Sequence, residues 1–125
     1  MLLICQKEKI NGVLTIASDL AVITVNYVAH HMNLIANPIE STEYCTNKYL
    51  MRKRLSERNI NVPEFYEGMK ELKSFPLIIK PLMSSSGKGQ NVVANEDDLL
   101  DAWNQALKCS RGDVNGVILE EFIEF

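Results

Sequence analysis

The chain has little cysteine, and the three that it has, Cys5, Cys45 and Cys109, lie far apart with no CxxC pair. Thiols so few and so scattered point to neither a disulfide framework nor a cysteine zinc site. Long apolar runs are also missing. None approaches the roughly 20 residues that a membrane-spanning helix needs. The apolar start, Met1 to Cys5, gives way at once to Gln6-Lys7-Glu8-Lys9, too short for the core of a secretion signal. There is no Asn-x-Ser/Thr acceptor site. A basic excess is lacking too: the net charge is -3 and the pI about 5.4, which removes the bulk electrostatic case for nucleic-acid binding. The chain is therefore expected to be cytoplasmic, with reduced thiols, no nucleic-acid partner and no membrane partner.

What is present is a hydrophobic content of 46% with 23% charged residues, the balance of a globular protein with a packed core. A length of 125 residues suffices for one domain or for pieces of two. The run "GVLTIAS" at residues 12–18 is nearly continuous and β-branched, as in a parallel strand buried on both faces. After Asp19, apolar residues at Leu20, Ile23, Tyr27, Val28 and Met32 fall on one helix face. "LIANP" then reads as a second short strand, so residues 12–38 are expected to form a βαβ unit, and the residues before Gly12 read as the tail of a preceding helix. Two parallel strands alone would be poorly buried, so the chain is expected to start part-way through a larger α/β domain. Asp19 has two readings, helix capping or contact with a substrate at the strand end. His30 and His31 lack carboxylate or cysteine partners at metal-ligand spacing and read as helix-end residues.

A second helix is expected from about Thr46 to Arg58, with Leu50, Met51 and Leu55 inward and Asn59 in a left-handed cap. Its basic residues Lys48, Arg52, Lys53, Arg54 and Arg58, interrupted by Glu57, read as a solvated face rather than a polyanion patch. "EFYEG" reads as a short strand and "MKELKSF" as a turn or short helix. "PLIIKP" and "NVVAN" read as strands joined by "LMSSSGKGQ". Asn95 is the expected N-cap of a helix whose Leu99, Ala102, Trp103, Ala106 and Leu107 make one stripe. "CSRGDVN" reads as a loop, its Arg111-Gly112-Asp113 no more than a turn. "GVILEEFIEF" reads as a final strand reaching the last residue. A strand left unclosed at the chain end suggests truncation there as well as at the start.

The serine-glycine loop fails both common phosphate patterns. A Walker A loop needs glycine, four residues, Gly-Lys and Ser or Thr, whereas Leu82 stands at the first position and Gly89 follows Lys88. A dinucleotide fingerprint would need a third glycine three residues beyond Gly89. What remains is a strand-loop-strand segment whose glycines free the backbone to present N–H groups, with serine hydroxyls and Lys88 added. Such a turn is either an anion nest or a plain polar hairpin loop. Lys80, between apolar residues and Pro81, favours the first, since burying a lysine without an anionic partner is costly. It also fits a lysine snorkelling to solvent from a sheet edge.

Taken in order, "IIKPLMSSSGKGQ", a strand, a helix containing "DAW" and "VILEEFIEF" resemble the first half of an ATP-grasp domain. The loop and hinge are most similar to those of formate-dependent phosphoribosylglycinamide formyltransferases. The upstream part, through "TNKYLMRKRLSERNINVPEF", is equally similar to carbamoyl-phosphate-synthase-like members. The resemblance implies an α/β (α+β) fold: the end of a Rossmann-like pre-ATP-grasp domain in residues 1–45, a linking helix in 46–62, and an ATP-grasp A-type subdomain in 63–125, truncated at both ends. It implies ATP as ligand. Lys48 matches the basic residue near the phosphates, and Lys80 the lysine that contacts phosphate and adenine. Ser85, Ser86, Gly87, Lys88, Gly89 and Gln90 match the mobile loop over them. Glu120, Glu121, Phe122 and Ile123 match the hinge that reads the adenine edge, with Glu121 standing where the formyltransferase pattern has a small residue. The family's Mg2+ ligands would fall beyond Phe125, so the metal is expected for the complete domain only and no catalytic residue is assigned.

The implied chemistry is a carboxylate-amine ligase acting through an acylphosphate, on carboxylate and amine substrates that the resemblance does not identify. The chain is expected to be inactive alone. The alternatives are a carbamoyl-phosphate-synthase-like or biotin-carboxylase-like ATP-grasp fragment, or a non-catalytic remnant or split subunit that binds nucleotide only with a complementing chain or as a homodimer. A kinase-like phosphate binder of another fold remains as a third class. It predicts a glycine loop running into a helix.

Overall fold

The computed structural model describes residues 1–69, 72, 74–111 and 116–124. The chain divides into two compact units, Met1–Thr46 and Asn47–Phe125.

The first unit is helical. It contains α1 (Leu2–Lys7), α2 (Asp19–His31) and α3 (Ile39–Thr46). The helix tail expected before Gly12 is present as α1. Helix α2 starts at Ser18, whose hydroxyl accepts from the Ala21 N–H at 3.3 Å, so Ser18 supplies the cap and Asp19 is the first helical residue. At its other end the His31 Nδ1–H donates to the Tyr27 carbonyl at 2.8 Å, the helix-end role expected for that histidine. Buried Asn26 ties α2 to α3, its amide donating to Thr42 Oγ1 at 2.6 Å and to the Pro38 carbonyl at 3.3 Å. The sequence pattern gave no sign of α3.

The βαβ expectation is overturned here. Residues 12–18 and 34–38 carry no strand, and Leu14 and Ile16 are 80% and 84% exposed. A strand is held by the ladder to its neighbours, and no strand among the described residues of this unit offers one. For the same reason the expected α2 stripe is not covered as a whole. Val28 and Ala29 are buried, while Leu20, Ile23 and Tyr27 stay exposed.

The second unit comprises α4 (Lys48–Ser56), β1 (Phe65–Tyr66), β2 (Leu77–Pro81), β3 (Asn91–Val93), α5 (Leu99–Cys109) and β4 (Val117–Glu121). The four strands form one antiparallel sheet in the order β1-β4-β2-β3. Strand β2 alternates buried and half-buried residues, the pattern of a strand whose two faces meet different surroundings. Leu77 and Ile79, with Val117 and Leu119 of β4, join Leu99, Ala102 and Ala106 of α5 in the core, with Trp103 and Leu107 packed against it. The expected α5 stripe is therefore the face that meets the sheet. Burying each such Leu, Ile or Val contributes roughly 1.5–3 kcal/mol.

Two boundaries differ from expectation. Helix α5 begins at Leu99 after Asp98, while Asn95 Oδ1 accepts from the Asp97 N–H at 3.0 Å, forming a turn ahead of the helix rather than its cap. Strand β4 stops at Glu121, opposite Leu77, where its neighbour β2 begins. Helix α4 is capped by Asn47, whose side chain accepts from Tyr49 N and Leu50 N, and Asn59 is left-handed at φ 57°, as expected. The turn or short helix expected at 69–75, the Arg111-Gly112-Asp113 turn and the last residue of the expected final strand lie wholly or partly outside the described residues. No helix among those described is long and apolar enough to cross a membrane.

Candidate functional site

The site begins with the register of β2 against β4. Ile78 pairs with Glu120 and Lys80 with Ile118. Since side chains alternate across a strand, Lys80 and Glu120 emerge on one face, opposite the face that α5 covers. They are diagonal neighbours, within reach of a long side chain. Lys80 Nζ donates to Glu120 Oε2 at 2.6 Å. The lysine lies on an inner strand with a carboxylate partner, so the edge-snorkelling alternative does not apply.

A third residue completes this cluster. Arg52 of α4 donates through Nε to Glu120 Oε1 at 2.8 Å and through a terminal nitrogen to Oε2 at 3.3 Å, the forked geometry of a strong arginine-carboxylate pair. Glu120 is 1% exposed, while the Lys80 and Arg52 side chains are 18% and 24% exposed. Burial alone pushes the Glu120 carboxyl up. The hydrogen bonds from Arg52 and Lys80, with their charges, outweigh it and hold the group below the ordinary carboxylate range. One anion thus faces two cations, leaving the cluster with a surplus positive charge.

Arg52 departs from the solvated-face reading of the basic residues of this helix. Lys53 and Arg58 are exposed and Arg54 pairs with Glu57 at 3.4 Å, so that reading fits these three and not Arg52 or Lys48. The signal available was spacing. Lys48 and Arg52 are four residues apart and share a helix face.

Lys48 is the first residue of α4, and its Nζ donates to the Ser84 carbonyl at 3.1 Å and to Ser84 Oγ at 3.3 Å. Its N–H also donates to the Leu82 carbonyl at 3.1 Å. One face of α4 therefore puts a cation at the base of the serine-glycine loop and another at Glu120.

The loop leaves β2 at Pro81 and enters β3 at Asn91. A glycine loop running into a strand rules out the helix-entering, kinase-like alternative. The Lys88 N–H donates to the Ser85 carbonyl at 3.3 Å and the Gln90 N–H to the Gly87 carbonyl at 3.2 Å. Ser86, Gly87 and Gly89 have φ of 57°, 69° and 73°, the left-handed conformation that glycine adopts without strain. At Gly89 space matters too, since a Cβ there would lie 2.5 Å from Cys109 Cβ and 2.9 Å from Pro81 Cγ. Arg111, a second residue not foreseen, strengthens the loop base. Its N–H donates to the Met83 carbonyl at 2.8 Å and its guanidinium to Ser85 Oγ at 3.2 Å. Ser86, Gly87, Lys88 and Gln90 stand exposed.

At the other end of the site, the Glu121 N–H donates to the Glu64 carbonyl at 2.8 Å, and the Phe122 N–H to the Pro76 carbonyl at 3.3 Å. Glu121 is exposed, Phe122 half-buried, and Ile123 lies exposed beyond the strand end. The structure thus joins Lys80 to Glu120 directly and Lys48 to the loop base. A cavity of about 260 Å³ lined by Ser56, Val62, Pro63, Glu64, Phe65 and Tyr66 includes none of the expected phosphate or hinge residues. Among the described residues no three His, Cys, Asp or Glu side chains group to hold a metal ion.

Residues 41–125, which include the glycine loop, the inner-strand lysine before it and the glutamate on the neighbouring strand, match the ATP-grasp domain. The chain belongs to the ATP-grasp family. It is 44% identical to the formate-dependent phosphoribosylglycinamide formyltransferase of Prochlorococcus marinus strain MIT 9515, over 75% of this chain and 26% of that protein. It is 39% identical to the enzyme of that name from strain NATL2A, over 85% of this chain and 30% of that protein. Among solved structures, the L-amino acid ligase from Bacillus licheniformis superposes with a TM-score of 0.75 at 26% identity, covering 97% of this chain and 28% of that one. The D-alanine-D-alanine ligase from Bacillus anthracis shares the fold with a TM-score of 0.75 at 21% identity, covering 98% and 43%. The chain therefore spans less than a third of the length of the two formyltransferases.

Proposed function

We propose that the chain supplies the phosphate loop and part of the adenine hinge of an ATP site in a carboxylate-amine ligase. The observation that carries this reading is the placement of three cations, Lys48, Lys80 and Arg52, between a glycine loop and a buried glutamate. In this reading Ser85, Ser86, Gly87, Lys88, Gly89 and Gln90 close over the triphosphate, with N–H groups of Ser86, Gly87 and Gly89 forming an anion nest. Lys48 and Lys80 face the phosphates. Glu120, kept ionised, accepts from an amino group on the base, and the main chain of Glu121, Phe122 and Ile123 meets the rest of its edge. Residues 1–45 would be the end of a Rossmann-like preceding domain, residues 46–62 the linker and residues 63–125 the first ATP-grasp subdomain.

The chemistry proposed for the whole site is a transfer in two steps. A carboxylate oxygen attacks the γ-phosphorus, the bond to the bridging oxygen breaks and ADP leaves. An amine nitrogen then attacks the acyl carbon, loses its proton and displaces phosphate. The names of the formyltransferase relatives point to formate as the carboxylate and phosphoribosylglycinamide as the amine. Transfer of this kind draws on Mg2+ to offset charge. The described residues do not fit a magnesium site, so no step is assigned to the metal, and the remainder of the site falls to further chain, a complementing chain or a second copy.

Amide-resolved NMR with added ATP tests the reading. Shifts at 85–90 and 120–123, lost in Lys80→Met, are the expected result. Shifts confined to other residues, the Ser56–Tyr66 cavity included, or no shifts at millimolar ATP, would overturn it.

A further inference from the structure

Without a ligand, Lys80 is already engaged. Its ammonium sits 2.6 Å from Glu120 Oε2, so reaching an anion means leaving or sharing that carboxylate. Glu120 is 1% exposed, and a buried carboxylate that loses its counter-ion is strongly disfavoured. Arg52 removes this obstacle, because its fork spans both carboxylate oxygens and stays in place when the lysine departs. A lysine at position 52 would not do the same. A point charge lacks the planar pair of donors that fixes a carboxylate in orientation.

We propose that Arg52 is a positioning residue that lets Lys80 change partners, holding Glu120 oriented and charge-balanced while Lys80 turns from it to a bound polyphosphate. The inference rests on the ATP-site reading above and deepens it, since no phosphate contact is assigned to Arg52 itself. The length of helix α4 sets the arrangement. With Lys48 at Ser84 and Arg52 one turn later at Glu120, the same helix braces both ends of the path that Lys80 travels.

The test uses the 125-residue chain with ATP and with inorganic tripolyphosphate as probes, read by calorimetry and by the side-chain NMR resonances of Lys80. In the unaltered chain both probes bind and the Lys80 resonances move. In Arg52→Met, affinity for both falls roughly 10- to 100-fold, the range expected for one hydrogen bond to a buried charge, and the Lys80 resonances move less. Arg52→Lys falls between the two. The deciding variant is Arg52→Met with Glu120→Gln. Once the glutamate is neutral Lys80 is no longer held, so tripolyphosphate affinity returns to that of Glu120→Gln alone, a coupling that a structural role or direct phosphate contact by Arg52 would not produce. Affinity unchanged in Arg52→Met, or a double variant as weak as Arg52→Met, overturns the inference while ATP binding by the unaltered chain leaves the site reading standing. If the unaltered chain binds neither probe, the site reading fails and the inference falls with it.

Discussion

Replacing Glu120 by alanine leaves two cations facing a vacated, buried position, and the size of the effect follows from the geometry. Lys80 and Arg52 both approach Oε2, at 2.6 and 3.3 Å. Two unit charges about 4–5 Å apart repel by roughly 3–4 kcal/mol at an effective dielectric of about 20. Partial exposure of both side chains lets them draw apart, so a net loss of about 3 kcal/mol is expected, at the lower end for breaking a buried ion pair. For a unit of this size that lowers Tm by about 12–24 °C. Replacing the whole cluster, with Arg52→Met, Lys80→Met and Glu120→Leu together, is expected to be neutral or stabilising by about 1–4 kcal/mol, because no uncompensated charge is left behind. Urea unfolding followed by circular dichroism reads both, and pH adds a third arm. The Glu120 carboxyl is held low in the folded state, so in acid the unfolded chain takes up its proton first. The stability that Glu120 contributes is full above the ordinary carboxylate range and is lost as pH falls through its lowered folded value. The triple variant should lack this part of the acid limb. A loss below about 1 kcal/mol in Glu120→Ala, or a triple variant as unstable as the single one, would refute the reasoning.

The two loop glycines should differ under the same substitution. Gly87→Ala meets only left-handed backbone strain and is expected to cost about 1–2 kcal/mol, whereas Gly89→Ala adds the clash with Cys109 and Pro81 and should cost about 1–3 kcal/mol more; thermal unfolding of the pair checks the difference. Lys48→Ala removes the contacts to Ser84, and amide exchange over 84–88 should quicken roughly 5-fold, about 1 kcal/mol of local stability. Asn26→Ala leaves Thr42 without its buried partner and is expected to destabilise the first unit by about 1–3 kcal/mol. Exchange rates in α2 and α3 report that loss.

In the second unit, local pattern carried far. The alternation in "LIIKP", the α5 stripe and the left-handed residues of the glycine loop each have a cause within a few neighbours, and each element formed where those causes act. In the first unit the same kind of evidence misled. "GVLTIAS" has the composition of a buried strand, but composition cannot provide the partner strands that a ladder requires, and its Leu14 and Ile16 remain exposed. Helix α3 leaves no apolar stripe because its buried member, Thr42, is polar and matched by Asn26 sixteen residues away.

The kinds of groups at the site and their order are written in the residues: a lysine before a glycine loop, a glutamate in a late strand and a basic helix ahead of both. Which of them meet depends on how the strands pair and where the helix packs. Lys80 and Glu120 are 40 residues apart, and Arg52 and Glu120 are 68. They come together because the β2–β4 register turns both strand residues to the face away from α5. A slip of one residue would have turned Glu120 into the apolar core. Charge, helix face and strand parity are local properties, but their coincidence at one buried carboxylate is a property of the sheet.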